Sequence, residues 1–379
     1  MKVEFNKDRI SYLLALYKMS IDDLLSLLNM GKKRLVNVTD LTGDIIDLNL
    51  LKRIDKVFQK GILFYMDFSE LRNNRNSSVF FRKSEFGTQL NMESMRIVHK
   101  FESLKHTLDG YNILSHFNVD SQLKKCTIKA EPSKIAEEVR RILLPTKRCN
   151  TSRSFLVELI SMFSENNIFV FEFIETWNKK EKTNIDGVFI KPNLIVLKHH
   201  KHYKREIFTL VHELGHLLLD VEEVEDVDLV NGKMSNDIER WCNEFAFYFL
   251  LGDDYIKLLN VSRVNSTNDY CMDVVQDLSD NHFVSRLAIY THLYLHNKMS
   301  YATYEHIKKD LEQQYQNKIV AEQQSRDQKN IYVKPPKPIL SPLMLRTMQM
   351  AFFNGIVNEA VFCNRLNINP TQFEHYLWK

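Results

Sequence analysis

The sequence predicts a mostly helical α+β fold in which a small sheet packs on an apolar helix. Only 10 of the 379 residues are glycine and 8 are proline, and apolar residues recur at helical spacing along most of the chain. Two runs rich in Ile, Val and Phe are instead typical of strands. They lie at 168–175 and 187–198, and a turn at Pro192–Asn193 interrupts the second.

The composition is that of an ordinary globular protein, with 44% apolar and 26% charged residues. The formal net charge of +3 provides no strong field for nucleic acid or a membrane surface. No apolar run approaches the roughly 18 residues of a transmembrane helix, and the N-terminus lacks the cleavage site of a signal peptide. The five cysteines form no CxxC pair, which fits a reducing compartment. We therefore expect a cytoplasmic protein that does not enter a membrane.

The first 70 residues read as a run of short helices. "DRISYLLALYKMS" and "SIDDLLSLLNMG" have helical apolar spacing, and Ser20 can cap the second. "KKRLVNV" predicts a short third helix, and "DIIDLNLLKRIDKVFQKG" predicts a fourth.

Helices also dominate the rest of the chain. They are predicted near 92–108, from Pro132 or Ser133 in "EPSKIAEEVRRILL", in "FLVELISMFSENN", and in "SNDIERWCNEFAFYFLLG" after an acidic loop. Three further helices follow Met272, and a Gln- and Pro-rich stretch reads as a linker. The resulting division is 1–70, a connecting segment 71–130, a core 131–258, a helical extension 259–315, a linker 316–340 and a C-terminal unit 341–379.

The stretch "IFTLVHELGHLLLD" has the pattern of a zinc helix. His212 and His216 are four residues apart, so their imidazoles share one face about 6 Å apart along the axis and can converge on one ion. Glu213 is rotated off that face, where it can take a proton from a water molecule that the metal activates. Chance gives about 0.06 such patterns in a chain of this composition. The alternative is a core helix with internally satisfied histidines, but buried ionisable groups need partners.

A catalytic zinc site of this kind needs a third ligand. The helix "SNDIERWCNEFAFYFLLG" offers Glu239, which shares a face with Asn243, and Glu244 is its rival on the same helix. The acidic loop offers further rivals, namely Glu222, Glu223, Glu225, Asp226 and Asp228. Spacing alone favours Glu239 but leaves the others open.

The segments "REIFTLVHELGHLLL" and "IERWCNEFAFYFLLG" together resemble the ImmA/IrrE family of metallopeptidases. The resemblance implies a zincin-like minimal metalloprotease core flanked by helical units. It implies that Zn²⁺ is held by His212, His216 and Glu239. It also implies that Glu213 is the general base and that Asn243 supports a ligand from outside the coordination shell.

The N-terminal region resembles an Xre-type helix-turn-helix domain, which often precedes this kind of peptidase. The segment in the place of its recognition helix, "GKKRLVNVTD", lacks the usual polar base-reading residues, and few basic residues means few phosphate contacts. We therefore expect a degenerate module, or one that binds a partner protein instead, with DNA binding as the less favoured alternative.

The resemblance also implies a biological role. Family members cleave or antagonise an Xre-type repressor or antitoxin, in phage, mobile-element, toxin–antitoxin or stress-response systems. Two alternatives stay open, namely a non-catalytic transcriptional regulator and a toxin that uses the peptidase fold as a sensor or interaction module.

Other polar residues near the motif have no role that spacing can assign. Tyr203, Tyr248 and His282 are alternatives for the group that stabilises an oxyanion. The run "HHKHYKR" at 199–205 is more typical of a solvated loop than of a second metal site.

Overall fold

The computed structural model describes residues 1–31, 35–69, 90–147, 149–175, 182–222, 237–328 and 336–379. These form two compact units. The first is Met1–Ser103 with Glu181–Thr183, and the second is Leu104–Lys180 with Asn184–Lys379. The six-part division proposed from the sequence stays a prediction.

The first unit is built from short helices and a two-stranded sheet. Its elements are β1 (Lys2–Glu4), α1 (Lys7–Leu16), α2 (Ile21–Asn29), α3 (Thr39–Thr42), β2 (Ile45–Asp47), α4 (Leu48–Phe58), α5 (Ile62–Met66) and the start of α6 (Met92–Leu114), which continues into the second unit. β1 and β2 are antiparallel, with Val3 opposite Ile46. The predicted cap of α2 is confirmed, because Ser20 and Asp23 form a reciprocal capping box.

Two predictions for this unit are wrong in part. Ile45–Asp47 is a strand, not the first turn of the fourth helix, since Ile46 packs beside Val3 and Asp47 accepts the Asn49 N–H at 2.8 Å to start α4. Residues 35–37 of the predicted third helix are not helical, and the helix there has only four residues. Residues 32–34 lie outside the described chain.

The second unit holds a three-stranded sheet among helices. Its elements after α6 are α7 (Pro132–Leu143), α8 (Ser152–Glu165), β3 (Phe169–Phe173), β4 (Gly187–Ile190), β5 (Leu194–Lys198), α9 (Tyr203–Leu219), α10 (Asp237–Leu251), α11 (Tyr255–Leu259), α12 (Met272–Asn281), α13 (Arg286–Leu295), α14 (Tyr301–Gln328), α15 (Pro342–Phe353), α16 (Glu359–Leu366) and α17 (Phe373–Leu377).

The sheet has the order β3-β5-β4. β3 runs parallel to β5, with Val170 opposite Ile195, and β4 runs antiparallel to β5, with Val188 opposite Val196. The predicted turn at Pro192–Asn193 is where β4 returns as β5. Helix α9 packs against β4 and β5 on one side and against α8 and α10 on others. The α+β prediction is confirmed, and α9 is the centre of its core.

The predicted linker is helical over its first part. α14 continues to Gln328, although 316–340 read as a connector. Four of the thirteen residues at 316–328 are Gln, and Lys318, Ala321, Glu322 and Arg326 also have high helix propensity, so a polar composition suits an exposed helix as well as a linker. In the part of the chain that the structure describes, no helix combines the length and the apolar character needed to cross a bilayer.

A buried pair of acids joins α9 to the sheet. Glu206 is 0% exposed and Glu172 on β3 is 6% exposed. Glu206 accepts the His200 N–H at 2.7 Å, and Glu172 accepts the Ile339 N–H at 2.6 Å, which holds the segment before α15 on β3. Burial, and then the neighbouring Glu172, raise the pKa of Glu206 to about 9. The pair therefore keeps a proton at neutral pH.

This raised pKa predicts a pH dependence of stability. Between the ordinary pKa of 4.5 and about 9, the unfolded chain releases a proton that folded Glu206 keeps. The free energy of unfolding then falls with rising pH by about 1 kcal/mol per pH unit for this group. Glu206→Gln removes the slope and keeps an acceptor for the His200 N–H. In urea denaturation, we expect the variant to gain about 2 kcal/mol on wild type between pH 6 and pH 8. The exposed Glu165→Gln is the control, and equal pH profiles for wild type and Glu206→Gln would contradict the prediction.

Candidate metal centre

The helix that carries both motif histidines is buried along most of its length. Leu210, Leu214 and Leu217 are 0% exposed and fill the space between the sheet and the neighbouring helices. His212 and His216 are each 1% exposed and Glu213 is 2% exposed. Three ionisable side chains in such surroundings are costly unless each has a partner, so their contacts define the site.

Helices α9 and α10 approach closely at Gly215. A Cβ atom at this position would lie 3.0 Å from Cys242 Sγ and 3.2 Å from Cys242 Cα, closer than packed atoms normally come. Only a residue without a side chain allows this separation. The contact brings the first turns of α10, which carry Glu239 and Asn243, against the face of α9 that carries the imidazoles.

The result is a compact group of three side chains. His212 Nε2 lies 3.1 Å from His216 Nε2 and 3.2 Å from Glu239 Oε2, and His216 Nε2 lies 3.4 Å from Glu239 Oε1. Ligands at zinc bond lengths of about 2.0–2.1 Å in tetrahedral geometry lie about 3.3–3.4 Å apart. The donor set and its spacing therefore fit a zinc ion. Glu239 is 19% exposed, so the group also has access to solvent.

Asn243 contacts the first histidine of the group. His212 Nδ1 lies 3.1 Å from Asn243 Oδ1, and an amide oxygen only accepts hydrogen bonds, so Nδ1–H is the donor. In a neutral imidazole the other nitrogen then carries a lone pair. This nitrogen is Nε2, which faces His216 and Glu239. Asn243 thus selects the tautomer that a metal ligand needs.

The electrostatics of the group keep its carboxylate ionised. Burial alone would raise the pKa of Glu239, but the neighbouring imidazoles of His212 and His216 outweigh burial and hold that pKa well below its usual range. A carboxylate close to two imidazoles is prepared to bind a cation.

Glu213 lies against the edge of the sheet. A Cβ atom at Gly187, the first residue of β4, would lie 2.9 Å from Glu213 Oε1 and 2.5 Å from Thr209 Cγ2. A side chain at Gly187 would therefore displace the Glu213 carboxyl. No local pattern indicates the role of this glycine, because that role depends on how β4 crosses α9.

The rivals of Glu239 lie elsewhere or are outside the described residues. Glu222 accepts the Lys191 N–H at 2.8 Å, which ties the end of α9 to the turn between β4 and β5. Glu244 belongs to a different group of side chains. Glu223, Glu225, Asp226 and Asp228 are in the part of the acidic loop that the structure does not describe.

The alternatives for the oxyanion group have other contacts. His282 Nε2 lies 2.8 Å from Asp254 Oδ2, and its Nδ1 lies 3.1 Å from the Leu250 carbonyl oxygen. The Tyr248 ring packs on Tyr255, and the Tyr203 ring packs on His199. These contacts do not involve the three grouped side chains, so the oxyanion role stays unassigned.

The histidine-rich run before α9 is less solvated than predicted. His199 Nδ1 lies 3.3 Å from buried Glu206, and His200 Nε2 lies 3.2 Å from Asp186. Arg205 also contacts Asp186. The run therefore anchors the start of α9, since His199 and His200 both face acidic side chains.

A second group was missed from the sequence. Glu244, His292 and His296 bring ligand atoms within 4.8 Å of one another. The signal was present, because His292 and His296 repeat the four-residue spacing of His212 and His216. The residue after His292 is not a glutamate, so this pair does not match the His-Glu-x-x-His pattern of the first site and did not stand out.

The contact at Gly215 makes the metal affinity sensitive to one methyl group. Gly215→Ala forces α10 away from α9 by a few tenths of an ångström, and Glu239 moves with it. We expect zinc affinity to fall by about 10- to 100-fold, as for other changes that misplace a ligand. Gly110→Ala is the matched control, because it also lies in a helix but its Cβ would meet nothing within 4 Å. Competition with a chromophoric chelator measures both, and equal affinities would contradict the role of this contact.

The comparison with known families agrees with this architecture. The family model described as Peptidase_M78, IrrE N-terminal-like domain, matches residues 167–289, from the start of β3 into α13. It does not reach the N-terminal unit, so the helix-turn-helix assignment stays a prediction. Searches of curated proteins and of solved structures give no match. Residues 167–289 are therefore similar to the IrrE-type domain of this peptidase family.

Proposed function

We propose that the protein is a zinc-dependent endopeptidase. Zn²⁺ would be held by His212, His216 and Glu239, and the fourth position would face solvent and substrate. The observation that carries the proposal is the 3.1–3.4 Å spacing among the three donor atoms, which suits tetrahedral zinc. The family match supports the same reading.

A bound zinc ion would act as a Lewis acid and make a water molecule acidic enough to attack near neutral pH. Glu213 would take the proton from the attacking water and pass it to the leaving amine nitrogen. Its position next to His212, on the same buried helix but off the ligand face, suits a base better than a ligand. The low exposure of Glu213 favours this proton transfer, because little bulk water competes for the carboxylate.

The neighbours of these residues would hold them for the reaction. Asn243 fixes the His212 ring through Nδ1, and Gly187 leaves room for the Glu213 carboxyl beside β4. Neither residue needs to touch the substrate. Both would set the geometry within which the proton moves.

We propose an Xre-type repressor or antitoxin as the substrate class, within a phage, mobile-element, toxin–antitoxin or stress-response system. This part of the proposal rests on the ImmA/IrrE resemblance. The N-terminal region would then bind the partner protein or DNA, and the protein would act in the cytoplasm. A non-catalytic regulator or toxin on the same fold is the alternative, and the experiment below separates the two.

Glu213→Gln separates catalysis from metal binding. The variant keeps the three ligands, so it should hold as much zinc as wild type, but it should cleave at least 100-fold more slowly, because the base is lost. Purified protein is incubated with candidate Xre-type repressor and antitoxin proteins, and the products are followed by gel and mass spectrometry. Glu165→Gln is the exposed control and should cleave as wild type does.

Two results would contradict the proposal. The first is cleavage by Glu213→Gln at the wild-type rate. The second is an unchanged cellular phenotype of Glu213→Gln together with no cleavage by wild type, which would favour the non-catalytic regulator.

A further inference from the structure

A second group of imidazole and carboxylate side chains lies on the helices that follow the first site in the chain. Glu244 on α10 contacts His296, the C-terminal cap residue of α13, with His296 Nε2 at 2.6 Å from Glu244 Oε1. The Tyr255 hydroxyl on α11 lies 2.7 Å from Glu244 Oε2 and 3.1 Å from His292 Nε2. All four residues belong to the second unit.

The arrangement has the same construction as the first site. Two histidines stand four residues apart, one on α13 and one at its C-terminal cap, and a glutamate comes from a neighbouring helix. The ligand atoms of Glu244, His292 and His296 lie within 4.8 Å of one another. Tetrahedral zinc would place them about 3.3–3.4 Å apart, so His296 Nε2 and Glu244 Oε1 would separate from 2.6 Å and the more distant atoms would move closer. The side chains of His296 and Glu244 are 38% and 21% exposed, so both can move by the roughly 1 Å that this requires.

One member of the group is held in place by packing. His292 is 4% exposed, and its ring lies 4.1 Å, centroid to centroid, from Phe247 and 4.3 Å from His296. Burial lowers the pKa of His292 to about 4, although the Glu244 charge opposes that effect. The imidazole is therefore neutral at physiological pH, so one of its two ring nitrogens carries a lone pair that a metal ion can bind.

The carboxylate is also in its ligand form. Burial would raise the pKa of Glu244, but His296, His292 and the Tyr255 hydroxyl outweigh it, and the pKa is lowered. Two nitrogen donors and one ionised oxygen donor form the type of set that binds zinc and other late divalent transition metals.

We propose that Glu244, His292 and His296 form a second site for a divalent transition-metal ion. His292 and His296 lie beyond residue 289, where the family match ends, so this site would belong to the helical extension of this chain. A bound ion would link α13 to α10, the helix that carries Glu239 and Asn243. Tyr255 would remain as a hydrogen-bond donor to the Glu244 carboxylate.

The competing explanation is a hydrogen-bonded network without an ion, in which Glu244 accepts from Tyr255 and His296. The two explanations differ in metal stoichiometry. Full-length protein is stripped with a chelator and titrated with Zn²⁺ alone and with Co²⁺ alone. We expect two equivalents for wild type, with two contributions to the visible Co²⁺ absorption.

Single substitutions assign the two equivalents. Glu239→Gln should remove the ion of the first site and leave one equivalent. His296→Gln should lower the affinity for the other ion at least tenfold, and its partly exposed position makes it compatible with folding. His306→Gln is the control, because His306 is also an exposed helical histidine beside an acid, at 3.4 Å from Asp310.

The outcomes are distinct. A single equivalent in wild type, or an unchanged affinity for the second equivalent in His296→Gln, would overturn the second site. Loss of one equivalent in His296→Gln with no loss in Glu239→Gln would support the second site and contradict the proposed function.

Discussion

The close approach of α9 and α10 is the constraint on which the site depends. Gly215 leaves no side chain between the helices, and the Cys242 backbone and sulfur occupy the space that a Cβ would fill. At a wider separation Glu239 would not reach two imidazoles at once. The metal chemistry therefore rests on a packing contact that contains no ligand, in a core whose density makes even one methyl group count.

The surroundings of three ionisable groups in the second unit determine their protonation states. Glu239 stays charged because two imidazoles outweigh its burial, Glu206 stays protonated because of burial and then the neighbouring Glu172, and His292 stays neutral because it is buried. These states cost free energy unless they are used or compensated. Glu206 and Glu172 are used for structure, since their acceptors hold the start of α9 and the segment before α15.

The periodicity of the sequence predicted most helices of the second unit and all three of its strands, because apolar spacing and β-branched runs are local properties. The His212–His216 pair could be found for the same reason, since four-residue spacing on a helix fixes a shared face. Glu239 could only be favoured, because the choice among acids depends on how two helices pack. Gly187 and Gly215 could not be understood from the sequence, since each matters through a residue distant in the chain. The prediction of a helix at Ile45–Asp47 is wrong because strand pairing outweighs the helical spacing of its apolar residues. The prediction of a linker is wrong over its first part because helix propensity outweighs the polar composition.

A crystal structure of the zinc-loaded protein, with anomalous data at the zinc edge, tests the central claim most directly. The account predicts an anomalous peak about 2.0–2.2 Å from His212 Nε2, His216 Nε2 and a Glu239 oxygen. It also predicts Asn243 Oδ1 in contact with His212 Nδ1. A zinc-soaked crystal with no ion at this position, or with Glu239 turned away from the imidazoles, would contradict it.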